Sequence, residues 1–179
     1  LWNWDRAMPW VRQLNLGASG QILAWNPGCG TGAESYSVAV LLKTAFPHRP
    51  FKVWSNDKDL LNISMAPSLA FSAPQVPQEY LPFMVETRGG WQFNSDIKGH
   101  ILFEFHDILH MNPYDDLHLI VAKDLLSFLK PHEQENLLVE FREKLRPGGY
   151  LLLGKNEKMV QDGNWEPVSA EGASLYRRL

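Results

Sequence analysis

The chain has 179 residues, a formal net charge of -3 and 45% hydrophobic residues. That is enough for one α/β domain with its own core, and it lacks the basic footprint that nucleic acid selects. The single cysteine, Cys29, excludes an internal disulfide framework and fits a reducing cytoplasm, and no apolar run approaches the roughly 20 residues of a helical membrane span.

No signal peptide is visible, and a start at Leu1 rather than Met is expected of a domain taken from a longer protein. In chain order, Trp2, Trp4, Trp10, Val11 and Leu14 predict an aromatic helical segment, residues 1–19, packed on the main domain. Pro9 either kinks this helix or sets its start. Gln21-Ile22-Leu23-Ala24-Trp25 reads as a buried strand, followed by glycines at alternate positions, Gly28, Gly30 and Gly32. A helix from Glu34 to Phe46 follows, with Tyr36, Val40 and Leu41 on one apolar face. A glycine turn lets a ligand lie against bare backbone. Strand, turn and helix in that order place the ligand over the carboxyl end of a sheet, beside a helix N-terminus.

Spacing leaves two cofactors open. Gly28-x-Gly30-x-x-Ala33 reads as a dinucleotide fingerprint. Gly28-x-Gly30-x-Gly32 followed by Glu34 fits S-adenosylmethionine (SAM) better, because a carboxylate attracts a sulfonium and an ammonium and repels a pyrophosphate. Cys29 within the loop is either a small filler or a reactive thiol.

Phe51–Ser55 reads as the second strand, ending at Asn56-Asp57-Lys58-Asp59. An acid at that strand end can take both hydroxyls of a ribose, a role assigned to Asp57; alternatively Asp57 or Asp59 caps the Leu60–Met65 helix. Residues 66–100 change character: Pro67, Pro74, Pro77 and Pro82 break them up, and a small hairpin closes at Trp91-Gln92-Phe93. Ile101–Phe105 returns to strand, and Asp107 just after it could face an adenine amino group. His106 and His110 would make a metal pair only on a helix; the strand before them and Pro113 after them argue against one, so no metal is expected. Leu117–Ala122 is a buried strand ending at Lys123-Asp124, and His118 within it reads as a hydrogen-bonded core residue. Pro131 opens a helix with Leu137, Leu138, Phe141 and Leu145 on one face, stopped by Pro147-Gly148-Gly149. Tyr150–Gly154 is another strand; a turn at Asp162-Gly163-Asn164 and a last strand at Ala173–Arg177 end the chain. Strands alternating with helices predict a mostly parallel sheet covered on both faces.

Several of these segments, in this order, resemble the CheR family, the SAM-dependent protein-glutamate methyltransferases of bacterial chemotaxis. Trp25 to Ser37 is similar to the family's W-S-x-x-x-S-T-G-E-E-P-Y-S, and Val53 to Asp59 to its strand ending in A-S-D-I-D. Leu117 to Leu129 sits where the family has F-D-x-I-F-C-R-N-V-x-I-Y-F, and Leu145 to Glu157 resembles L-x-P-G-G-x-L-x-L-G-H-S-E. The resemblance implies a Rossmann-like class I SAM-dependent methyltransferase fold over residues 20–179: a mostly parallel seven-stranded sheet with helices on both faces and a small inserted β-subdomain at about 66–100. It implies SAM as cofactor, S-adenosyl-L-homocysteine as product, and contacts from Gly28, Cys29, Gly30, Gly32, Glu34, Asp57, Asp107, Ile108, Lys123 and Asp124. It also implies a helical N-terminal domain upstream of Leu1.

The departures bear on catalysis. The family's Arg-Asn pair becomes Lys123-Asp124, its tyrosine becomes Phe128, and Arg6 is the arginine available in place of the one upstream near the reacting methyl. Arg6 and Lys123 are therefore the catalytic candidates. A glutamate carboxylate is already ionised at pH 7, so the reaction needs placement and desolvation of the nucleophile rather than a base. Two functions follow from the resemblance: methylation of glutamates on a chemoreceptor or related signalling protein, in the cytoplasm, or a sensor module that binds SAM or its demethylated product without turnover. A small-molecule methyltransferase and a nicotinamide-dependent oxidoreductase are further alternatives.

Overall fold

The computed structural model describes residues 1–160 and 162–179. Five parallel strands form the body of one seven-stranded sheet: β1 (Ile22–Pro27), β2 (Phe51–Asp57), β5 (Ile101–Phe105), β6 (Leu117–Ala122) and β7 (Leu145–Gly154). The tail adds β8 (Trp165–Val168) and β9 (Ala173–Arg178), with β9 antiparallel to both neighbours, and the spatial order is β5-β2-β1-β6-β7-β9-β8. This is the class I methyltransferase architecture expected, and the stretch of chain between β2 and β5 adds a separate two-stranded antiparallel sheet of β3 (Met84–Thr87) and β4 (Gly90–Phe93).

The central strands are buried on both faces, which is why they read as unbroken apolar runs rather than as alternating ones. Alternate residues nonetheless serve different cores. Ile22, Ala24, Val121, Tyr150 and Leu152 pack with α1 (Trp4–Gln13) and α2 (Ala33–Ala45). Trp25, Ile120, Ala122, Leu151 and Leu153 pack with Leu137 and Phe141 of α5 (Pro131–Lys144) on the other side. Helix α2 is covered twice: residues 35–42 are all buried, because α1 lies over it through Ala7, Met8, Trp10 and Val11. The inserted segment leans on the same helix, with Phe93 stacked on Tyr36 at 4.5 Å between ring centroids.

Three local readings change. Pro9 lies inside α1 and does not start it; Asn3 is the N-cap, its side chain accepting the Arg6 N–H at 3.0 Å. Pro147-Gly148-Gly149 belongs to β7, which starts at Leu145, with a register shift against Leu117/Leu119 of β6 absorbing the irregular backbone. Strand β8 is an addition to the strands read from the chain. Pro167 obscures it, and an edge strand tolerates a proline that a central strand would not.

His118 is a core residue, 2% exposed, with Nδ1 accepting the Leu23 N–H at 3.1 Å. Burial, helped by the nearby Arg146 and Arg49, lowers its pKa to about 4. An unfolded histidine takes up its proton near pH 6.5, so this contribution to stability is complete above 6.5 and is lost as pH falls toward 4. We expect His118→Gln to lose less melting temperature than wild type between pH 6.5 and 4; equal losses in a thermal-denaturation series would contradict this.

Candidate active site

In the strand order, the chain leaves β1 toward β2 on one side, and β6 lies on the other. The carboxyl ends of β1 and β6 therefore flank the point where the winding reverses, the place where open α/β sheets hold ligands. A cleft of about 260 Å³ opens there, and Gly28, Asp57, Asp107, Ile108, Lys123 and Asp124 all line it.

The glycine loop reaches it through Gly28. Gly28, Gly30 and Gly32 have φ of 63°, 55° and 94°. A Cβ on Gly28 would meet Leu125 Cδ1 at 2.8 Å and one on Gly32 the Phe103 ring at 3.0 Å, whereas Gly30 faces open space. Two of the glycines thus satisfy packing, and the third leaves backbone bare. The loop is tied to the end of β2: the Cys29 N–H donates to the Asn56 carbonyl at 3.0 Å and the Gly30 N–H to Asp57 Oδ2 at 2.8 Å. The other oxygen of Asp57 accepts the Asp59 N–H, while Asp59 caps the helix α3 (Leu60–Met65) by accepting the Leu61 N–H. Of the two readings of Asp57, capping therefore falls to Asp59, and Asp57 fastens the loop and faces the cleft.

Cys29 is 6% exposed and does not line the cleft. Burial, with Asp57 nearby, pushes its thiol up to about 12, so it is the filler and not a nucleophile.

Glu34 stands at the start of α2. Its Oε1 accepts from Asn26 Nδ2 at 3.0 Å and its Oε2 from Trp2 Nε1 at 3.2 Å. Burial raises its pKa against the opposing pull of Lys123 and of these two donors. Asn26, fully buried at the end of β1, also donates to the Val121 carbonyl of β6 at 2.8 Å and accepts from Ser35 Oγ at 2.7 Å.

On the far wall, Ile108 is buried and Asp107 Oδ1 accepts the Leu109 N–H in a local turn. His106 bonds Asn112 at 2.8 Å, and no group of metal-ligating side chains exists among the described residues. The loop after β6 is set by Glu157, which accepts from the backbone N–H groups of Asp124 (2.8 Å), Gly154 (2.8 Å) and Ser127 (3.2 Å). This holds Asp124 at a φ of 57°. Phe128, 85% exposed, stands at the rim.

Lys123 borders this cleft and a second pocket of about 180 Å³, lined among others by Trp2, Asn3, Arg6, Trp10 and Glu171. Arg6 lies on that second pocket, paired with Glu171 at 3.3 Å, and not on the glycine-loop cleft. Asn26, Trp2 and Glu157 are site residues that the sequence reading did not single out. An asparagine inside an apolar strand run was the available signal for the first, since a buried amide must find partners.

The model of the CheR methyltransferase SAM-binding domain matches residues 6–173. The chain belongs to this family. An uncharacterized 104.1 kDa protein of Rhodobacter capsulatus is 31% identical over 161 residues, 86% of this chain and 17% of that protein. Chemotaxis protein methyltransferases of Listeria innocua (22% identity, 87% of this chain, 61% of the relative) and Vibrio cholerae (26%, 77% and 52%) also match. The chain thus spans less than two thirds of the length of each. In fold it is similar to the N-methyltransferase NodS of Bradyrhizobium japonicum in complex with S-adenosyl-L-homocysteine, with a TM-score of 0.58, 16% identity, and coverage of 96% of this chain and 85% of that one. It is equally similar to magnesium protoporphyrin IX methyltransferase of Synechocystis with bound SAM, at 0.58, 14%, 96% and 76%.

The residues present fit the family's SAM cofactor. Gly30 offers bare backbone, Asp57 and Asp107 offer carboxylates on opposite walls, and Glu34 is a partly desolvated acid without a direct ion pair among the described residues. A cationic ligand would compensate that charge.

Two outcomes follow. Gly32→Ala, which adds a Cβ at positive φ against Phe103, should cost about 1–3 kcal/mol in urea unfolding, more than Gly30→Ala at its open position. Native protein at pH 8 should leave Cys29 unmodified by Ellman's reagent until denaturant is added; rapid labelling without denaturant would refute its burial.

Proposed function

We propose that this domain binds SAM in the glycine-loop cleft and transfers its methyl group to glutamate carboxylates of a chemoreceptor or other signalling protein in the cytoplasm. The observation that carries this reading is the placement of Lys123, which joins an acid-lined cleft to a second pocket whose wall bears Arg6. One site suits a cation and the other an anion, and they share a border.

Bound SAM would supply an activated methyl whose bond to sulfur breaks with the electron pair staying on sulfur. The acceptor carboxylate supplies the new pair, so the products are a neutral ester and a thioether, and no proton moves. The protein's work is then placement and drying. Gly30, Asp57, Asp107 and Ile108 would hold the nucleoside, with Glu34 and Asp124 toward its charged end. Arg6 and Lys123 would hold the acceptor carboxylate between the Trp2 and Trp10 walls, with Arg6 exchanging its Glu171 partner for the acceptor.

A second reading has its own support: the exposed Phe128 offers the acceptor no hydroxyl. The domain would then be a sensor that binds SAM or S-adenosyl-L-homocysteine without turnover.

Calorimetry should show binding of SAM and S-adenosyl-L-homocysteine and none of NAD. Glu34→Gln and Asp57→Asn should each weaken SAM about tenfold, about 1.4 kcal/mol. Transfer of labelled methyl to receptor-bearing membranes, released as methanol by base, is the result expected of the enzyme. Binding with no base-labile label on any receptor would favour the sensor.

A further inference from the structure

A pocket of about 240 Å³ lies at the end of the sheet opposite the cofactor cleft. The parallel strands start at that end. The pocket therefore collects Asn15 and Gly17 from the loop before β1, His118 from the start of β6, and Arg146 and Gly148 from the start of β7. Because β9 is antiparallel, Arg177 near its end joins them. Arg177 Nη2 lies over the β7 turn, 3.5 Å from the place a Gly148 Cβ would take. The described lining holds these two arginines and no acid; their partners Asp116 and Glu166 stand outside it, 67% and 53% exposed. Asp116 engages only Nη2 of Arg146, and Glu166 only Nη1 of Arg177.

Around His118 the donors outnumber the acceptors. The Leu23 N–H donates to Nδ1 at 3.1 Å, and Arg146 Nη1 lies 2.6 Å from Nε2. A neutral imidazole has one N–H and one lone pair, and a guanidinium has donors only. With its pKa lowered to about 4, the ring is neutral at pH 7. Its lone pair is taken at Nδ1, so Nε2 carries the proton and faces a second donor; the other tautomer moves the same conflict to Leu23. The ring is 2% exposed, and the buried Nε of Arg146 is a further donor with no partner among the described residues. Buried donors are costly unless an acceptor meets them. We propose that this pocket is an oxyanion site, taking a phosphate group whose oxygens accept from His118 Nε2–H and from the guanidinium groups of Arg146 and Arg177. Two fixed charges and donors from three separate strands suit a tetrahedral dianion better than a planar carboxylate. The pocket shares no lining residue with the glycine-loop cleft, so the site is independent of the cofactor reading. A phosphate-bearing ligand held here would tie the starts of β6 and β7 to the end of β9.

The test follows the His118 ring in ¹⁵N–¹H imidazole spectra at pH 8 and constant ionic strength. Inorganic phosphate should shift the Nε2–H resonance saturably, and acetate at the same concentrations should not. Arg146→Met and Arg177→Met should each weaken phosphate about tenfold, as expected for the loss of one charge-assisted hydrogen bond. Should Arg146→Met fail to fold, Arg177→Met decides, because that side chain is 40% exposed. No shift with phosphate would mean that water meets these donors and would overturn the proposal. A shift unaltered in Arg177→Met would overturn it as well. An equal response to acetate would overturn the assignment to phosphate.

Discussion

The site depends on one buried amide. Asn26, next to the last residue of β1, has no exposure to solvent and divides its hydrogen bonds among the Val121 carbonyl of β6, the Ser35 hydroxyl and the Glu34 carboxylate. A buried amide left unpaired costs roughly 1–3 kcal/mol per group, so the three partners are held at fixed positions relative to one another. The strand carrying the glycine loop, the strand carrying Lys123 and the helix carrying Glu34 therefore meet in one arrangement. The cleft at the winding reversal is a consequence of the sheet order; the position of the Glu34 carboxylate is a consequence of Asn26.

Around that fixed point the site divides its labour. The nucleoside side is made of backbone and short acids fastened to strand ends: Asp57 to the glycine loop, Asp107 to its own turn. Such groups need little rearrangement to receive a ligand, which favours tight and specific binding. The other side is made of long cationic stems, Lys123 and Arg6, engaged with Trp2 and Glu171 respectively. These must change partners to act on an acceptor. On the proposed reading, holding the nucleoside and placing the acceptor would fall largely to different residues, so the departures at Phe128 and Lys123 would leave the nucleoside contacts in place.

Glu157 connects the two halves from outside both pockets. By accepting three backbone N–H groups it pins the end of β7 to the loop after β6, and so presents Lys123 on one side and Asp124 on the other. The inserted segment reaches the site through Tyr80, whose hydroxyl holds the Trp2 carbonyl, and through Phe93 stacked on Tyr36 of α2. What the insertion contacts can therefore bear on the orientation of Trp2.

Much of this was legible in the chain. Unbroken apolar runs such as Leu117–Ala122 announce strands covered on both faces, because a parallel sheet buries both sides. The glycines followed by Glu34 favour a cationic ligand over a pyrophosphate, because charge and bare backbone are local properties. Composition and spacing pointed to the fold class and to Gly28, Asp57 and Asp107, which the structure brings to one cleft. They did not show that Arg6 lies on a neighbouring pocket, that Cys29 faces inward, that Asp59 and not Asp57 caps α3, or that Trp2 bridges Glu34 and Lys123. The cap was a choice between two neighbouring acids; the others are relations between residues distant in sequence, such as Trp2 and Glu34 or Asp124 and Glu157, and no periodicity encodes which of them meet. The tertiary structure decided them, because only the assembled sheet with α1 laid over α2 brings an N-terminal indole, a helix-start acid and a strand-end lysine to one point.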